Sequence, residues 1–166
     1  MRPLIEEQLN KKMDEIVSFC FNGNRIADRG MSVLGVKFVM NKTESLLHER
    51  LAHLYPQLAD RVSSYQAARN CMTVYGVTME DSTDYESPLE FFARMVDYMI
   101  DLEFLVGEAI ELAEGDCVSK AFLYTFLTDL IPVTNQCLLL VDKAEKYDGN
   151  WMAFDRGIES FIILPE

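Results

Sequence analysis

The chain has 166 residues, 49% apolar and 25% charged, with 27 acidic against 15 basic side chains and a formal net charge of −12. That size suits one domain spanning 1–166 with a proper core, and the surplus of carboxylates repels phosphate, which disfavours nucleic acid as a partner. No apolar run reaches the ~20 residues of a membrane span. The N-terminal MRPLIEEQ lacks the basic start of a signal peptide, and four scattered cysteines (Cys20, Cys71, Cys117, Cys137) form no CxxC pair. Buried, reduced thiols in a cytoplasmic protein are therefore expected, rather than disulfides or a zinc site.

The first element is a helix over about 4–40. Ile5, Leu9, Met13, Ile16, Cys20, Gly23, Ala27, Met31, Leu34 and Phe38 share one face at the helical period. The phase survives Asn22-Gly23-Asn24, so one long helix is the preferred reading, with a break at that turn-like tripeptide as its rival. A second helix covers about 43–75, capped by Asn41 or Thr43. Its stripe is Leu47, Leu51, Leu54, Leu58, Val62 and Tyr65, and Pro56 inside it predicts a kink or break. The polar stretch 76–88 reads as the longest loop. Ser87-Pro88 then opens a third helix over 88–114, Ser87 as cap and Pro88 at the first position. Gly115 ends it. Asp116 caps a fourth helix over 116–147, kinked at Pro132, and a short segment over 150–164 covers one end. The pattern predicts an all-α four-helix bundle with a longer connection between helices 2 and 3.

One residue breaks the pattern. Phe92, Met95, Val96, Met99, Val106, Ile110 and Ala113 form the third helix's apolar face, and Glu103 falls within about 20° of its centre. A buried, unpaired carboxylate costs several kcal/mol, so a partner is required. Arg61 or Arg69 could supply a guanidinium. Tyr65, buried water or a raised pKa could satisfy it instead. A metal could also sit between Glu103 and Asp129, which lies at the same height on the fourth helix. Glu44 and His48, four apart, are a further pair of candidate ligands against the plainer reading of a surface Glu beside a boundary His. His53 reads as solvated. No phosphate loop, catalytic triad or zinc spacing occurs.

The segment LLHERLAHLYPQLADRV (46–62) resembles the second helix of miniferritins, the DNA-protection branch of the ferritin-like superfamily, through His48-Glu49, Tyr55 and Leu58-Ala59. DLEFLVGEAIELAEGDCVSKAFLYTFLTDL (101–130) resembles that superfamily's third helix, tight turn and fourth helix. The resemblance implies a ferritin-like bundle, with Glu103 at the position of a di-iron ligand and Gln136 at that of a Gln near the site. It also implies iron or another divalent metal as ligand and a homo-oligomeric shell. Val36, Ser63 and Ala67 stand where miniferritins carry ligands, Glu-x-x-His is absent, and no basic arm for DNA is present, so the site is degenerate. Two functions follow: an iron-binding protein with ferroxidase or storage activity using Glu103, Asp129 and His48, or a non-catalytic assembly or interaction module that has lost its metal site.

Overall fold

The apolar stripe of the first segment winds into one unbroken helix, α1 (Glu7–Val36), burying Leu9, Met13, Ile16, Cys20, Gly23, Ala27, Met31 and Leu34. The computed structural model describes residues 1–166 and holds helices and loops but no strand. Gly23 does not break α1, because it is there for contact. A Cβ at this position would lie 2.6 Å from the Tyr55 ring and 2.9 Å from Tyr98. α1 stops at Val36 rather than near 40: Val39 adopts φ 57, and the Met40 amide turns back to donate to Leu34 O at 3.0 Å.

The second rod is three pieces in line: α2 (Asn41–Leu47), a π turn (His48–Ala52) and α3 (Leu54–Ala68). Pro56 explains the seam. It has no N–H for the carbonyl four residues back, which is that of Ala52, and Asn24 of α1 donates its side-chain amide to that oxygen at 2.9 Å. The expected cap from Asn41 or Thr43 is not made. Instead the Thr43 amide and hydroxyl both donate to Asp155 Oδ1, at 2.7 Å each, from the far end of the chain.

The second rod ends at Ala68, with Asn70 at φ 58, and not near 75. Residues 71–85 form an extended crossover laid along α1. Asn10, Asp14, Ser18 and Asn22, four apart on one helix face, hold it like rungs. Asn10 Nδ2 donates to Met72 O, and the amides of Val74, Gly76 and Met79 donate to Asp14, Ser18 and Asn22, all at 2.9–3.1 Å.

Helix α4 (Pro88–Leu112) begins as expected, with Ser87 Oγ accepting from the Glu90 amide. Gly115, at φ 86, makes the tight reversal into α5 (Cys117–Tyr147), whose first turn is capped by Asp116 accepting from Ser119. By length and composition α5 is apolar enough to cross a membrane. Here its buried side, from Leu123 to Ala144, packs into the bundle. Helix α6 (Trp151–Gly157) and a 3₁₀ turn (Ile158–Phe161) close one end with Phe154, Ile158 and Phe161. Forty-two buried apolar residues form one continuous cluster, so the four rods share a single core.

Candidate functional site

Ferritin-like di-iron proteins take a Glu from each of two helices and a Glu-x-x-His from each of the other two, all pointing inward. In this chain the inward groups around mid-height are Cys20 on α1, Tyr55 on α3, Met99 on α4 and Cys137 on α5, each no more than 1% exposed. The Tyr55 hydroxyl donates to Met99 Sδ at 3.3 Å. Burial pushes both thiols up to about 12, and burial together with the neighbouring thiols pushes Tyr55 well above its usual value. All of these groups are neutral at pH 7. Apart from tyrosine and cysteine, the polar residues buried as a whole are Thr43, Gln66, Ser119, Thr134 and Gln136. No acid or histidine is among the buried residues, so the donor set at the centre does not fit a di-iron group.

Glu103 is not at the centre of the inward face. Leu102 holds that place, flanked by Met95, Met99, Val106 and Ala109. Because α4 packs against both α1 and α5, its buried arc is wide, and the mean of its apolar positions points between two partners rather than at the core. Glu103 is half-buried on the α5 side. There Thr134 Oγ1 donates to its Oε1 at 2.7 Å. It lines an open groove of about 570 Å³ together with Phe104, Glu108, Glu111, Leu127 and Ile131.

The other sequence candidates lie elsewhere. Asp129 is exposed and accepts Arg61 Nη2 at 2.9 Å, with that guanidinium 5.2 Å from the Phe126 ring centre. Arg61 therefore serves Asp129 and not Glu103, and Arg69 makes no ion pair with Glu103 either. Tyr65 is also engaged elsewhere: its hydroxyl meets Ser119 Oγ at 2.8 Å and its ring stacks on Phe122. His48 sits on the α1–α2 groove with Nδ1 3.3 Å from Asp28 Oδ1 and its ring against His53. Glu103, Asp129 and His48 are thus on three separate surfaces, and no group of three or more His, Cys, Asp or Glu is placed to hold a metal ion. Gln136 is buried, but it clamps the C-terminal tail, accepting from Ile163 N at 2.6 Å and donating to Phe161 O at 3.1 Å. Cys117, expected to be buried with the other thiols, is exposed at the start of α5.

Sequence reasoning passed over two features. The four rungs on α1 were visible as polar residues at a spacing of four. The arginines at 25 and 94, which flank a cleft under the crossover, carried no signal, because chain separation hides their proximity.

No protein-family profile and no curated protein matches this sequence. Solved structures do match. An open-pore ferritin from the hyperthermophilic archaeon Archaeoglobus fulgidus superposes with a TM-score of 0.88 at 13% identity, over 97% of this chain and 99% of that one. A humanized archaeal ferritin gives 0.87 at 14% identity, over 97% and 99%. A closed form of the Archaeoglobus fulgidus ferritin, engineered by site-directed mutagenesis, gives 0.85 at 14%, over 93% and 96%. With nearly the whole of both chains covered at that similarity, this chain has the ferritin fold.

Proposed function

We propose that the chain is a ferritin-fold assembly module whose bundle interior has exchanged metal ligands for packing. The observation that carries this reading is the inward face, where Cys20, Tyr55, Met99 and Cys137 meet and no acid or histidine is buried. Glu103, Asp129 and His48 then act as surface contacts to Thr134, Arg61 and Asp28. The miniferritin-like segment agrees: Tyr55, Leu58 and Ala59 are packing residues, while Glu49 faces solvent. The outer edge of the crossover is the surface for self-association. Its inner edge is held by the rungs of α1, whereas Met72, Val74, Tyr75 and Val77 are 88%, 68%, 61% and 86% exposed. An extended edge with apolar side chains is a pairing template, and a second copy meets it by two-fold symmetry with the same residues on both sides.

Light scattering on the purified protein, followed by aerobic addition of Fe(II), tests both halves. The expected result is a mass several times 19.0 kDa, lowered in Val77→Asp, with Fe(II) oxidised no faster than in buffer. A 19.0 kDa monomer overturns the assembly reading. Rapid oxidation that Glu103→Ala abolishes restores the ferroxidase reading, with iron taken as substrate at the groove of Glu103, Glu108 and Glu111.

A further inference from the structure

A second cleft, of about 540 Å³, opens between α1, α4 and the end of the crossover. Its size lies within the ~300–1,000 Å³ common for small-molecule sites. One wall is aromatic. Phe19 and Tyr98 stack with centroids 4.1 Å apart and planes 14° from parallel, and the Tyr98 hydroxyl locks the pair by donating to Phe19 O at 2.7 Å. Ile26 and Met79 extend this apolar surface.

The polar wall is held rigidly by its own contacts. Asp81 Oδ1 accepts from the Thr83 amide and hydroxyl at 3.0 and 2.8 Å, and Arg29 Nε donates to Thr83 O at 2.9 Å. Arg94 donates through Nη1 to Thr83 Oγ1 and to the Tyr85 hydroxyl, at 2.9 and 2.6 Å, and the same nitrogen lies 3.1 Å from Asp81 Oδ2. Every hydrogen bond and ion-pair contact of that guanidinium thus uses one nitrogen, leaving its Nε and Nη2 without an acceptor. Arg25, also lining the cleft, makes no ion pair or hydrogen bond with the protein. The Asp81 charge is matched by Arg94 of α4 and by Thr83 of the loop. With Asp81 matched by Arg94, the charges left on the lining are Arg25 and the exposed Glu80, and the free edge of Arg94 contributes unused hydrogen-bond donors.

We propose that this cleft binds a small aromatic carboxylate, its ring against Phe19, Tyr98 and Met79 and its carboxylate between Arg25 and the free edge of Arg94. The planar fork of a guanidinium matches a carboxylate with two parallel hydrogen bonds, and the stacked pair and the thioether suit a flat ring. In a chain of net charge −12, such a site selects its ligand by local complementarity, since the long-range field opposes anions. The inference is independent of whether the protein handles iron.

Titration of the purified protein with phenylacetate, followed by ¹⁵N–¹H NMR and calorimetry, tests it. Saturable binding is expected, with shifts confined to α1, α4 and residues 79–83. Acetate, which lacks the ring, and 2-phenylethanol, which lacks the charge, bind at least about tenfold more weakly. Arg25→Ala, at an exposed and unpaired position, weakens phenylacetate about tenfold, Phe19→Leu weakens it, and Glu80→Gln strengthens it. Linear, non-saturating shifts up to about 20 mM phenylacetate, or an affinity unchanged in Arg25→Ala, overturn the proposal. Should Phe19→Leu fail to fold, the Arg25 and Glu80 variants decide it alone.

Discussion

The middle of the bundle and the outer face of α1 use opposite chemistry on the two sides of one helix. Inward, Cys20 joins Tyr55, Met99 and Cys137 in a buried cluster whose titratable groups are all held neutral. Outward, Asn10, Asp14, Ser18 and Asn22 fix the crossover, and Arg25 faces an open cleft. In the di-iron members of this architecture the centre is the charged region. Here charge and hydrogen-bonding capacity lie on the surface, while the rods keep their ferritin arrangement. The fold therefore does not depend on metal ligands for its cohesion.

The largest effect is expected from forcing the two sides to resemble each other. Cys137→Glu puts a carboxylate where no cation or amide is available to meet it and where the one nearby hydroxyl, that of Tyr55, is turned to Met99 Sδ. Burying an unpaired charge costs about 3–5 kcal/mol, and chemical denaturation should record a loss of that order at pH 7. The loss shrinks at low pH, where the carboxyl is protonated. A tolerated Cys137→Glu, above all one that gained stability on adding Fe(II), would show that the centre remains poised for metal.

A smaller loss is expected on the outer face. Asp14 Oδ1 accepts from the Val74 amide and from Gln66 Nε2 at 3.1 and 2.8 Å. Asp14→Ala leaves both donors without this acceptor, though water reaches them in part. The cost is about 1–2 kcal/mol, and hydrogen exchange at Val74 and Gly76 should quicken more than at the core of α1. Uniform acceleration along both would mean that the crossover is not held independently.

The stripes made the four rods legible because helix faces repeat at a fixed period, whatever they pack against. The period also carried α1 through Asn22-Gly23-Asn24. The turn chemistry of that tripeptide yields to packing, since the rings of Tyr55 and Tyr98 occupy the space beside Gly23. The end of the second rod was misread because 71–85 takes its shape from side chains some sixty residues earlier, and no local propensity encodes that. Glu103 was misplaced for a related reason. A helical wheel gives a direction for one partner, whereas α4 has two, and Thr134, the residue that meets Glu103, carries no sequence signal of its own. The aromatic and arginine walls of the cleft come from three segments far apart in the chain, so neither its shape nor its charge could be read in advance.

Acid should loosen the crossover's end before the core. Burial works to raise the Asp81 carboxyl, but the amide and hydroxyl of Thr83 and the Arg94 guanidinium outweigh it and hold the group below its ordinary 3.8. A carboxylate with a lowered folded pKa contributes stability above its unfolded pKa and loses it as pH falls through the folded value. The contribution of Asp81 is thus complete about one unit above 3.8 and is lost as pH falls through 3.8 toward the lower folded value. Asp81→Asn should lower stability at pH 7 by about 1 kcal/mol, and the gap to wild type should close toward pH 2–3, as read by urea unfolding across that range. A gap that stays constant would assign the loss to hydrogen-bond geometry rather than to charge.

The smallest effect is expected at the Arg61–Asp129 pair, where a null result is informative. Both side chains are partly exposed, at 38% and 51%. Exposed pairs of this kind couple by about 0.2–1 kcal/mol, and the Phe126 ring beneath Arg61 adds a modest cation–π attraction. A double-mutant cycle of Arg61→Ala and Asp129→Ala should return a coupling in that range, weakened by 0.5 M salt. If Asp129 were instead a metal ligand, Arg61 would compete with the metal. Arg61→Ala would then raise the affinity for Fe(II), and added Fe(II) would stabilise that variant more than wild type. With the guanidinium already 2.9 Å from the carboxylate, iron should leave the unfolding midpoints of both proteins where they were, and the charge of Asp129 should matter only as one half of a surface ion pair.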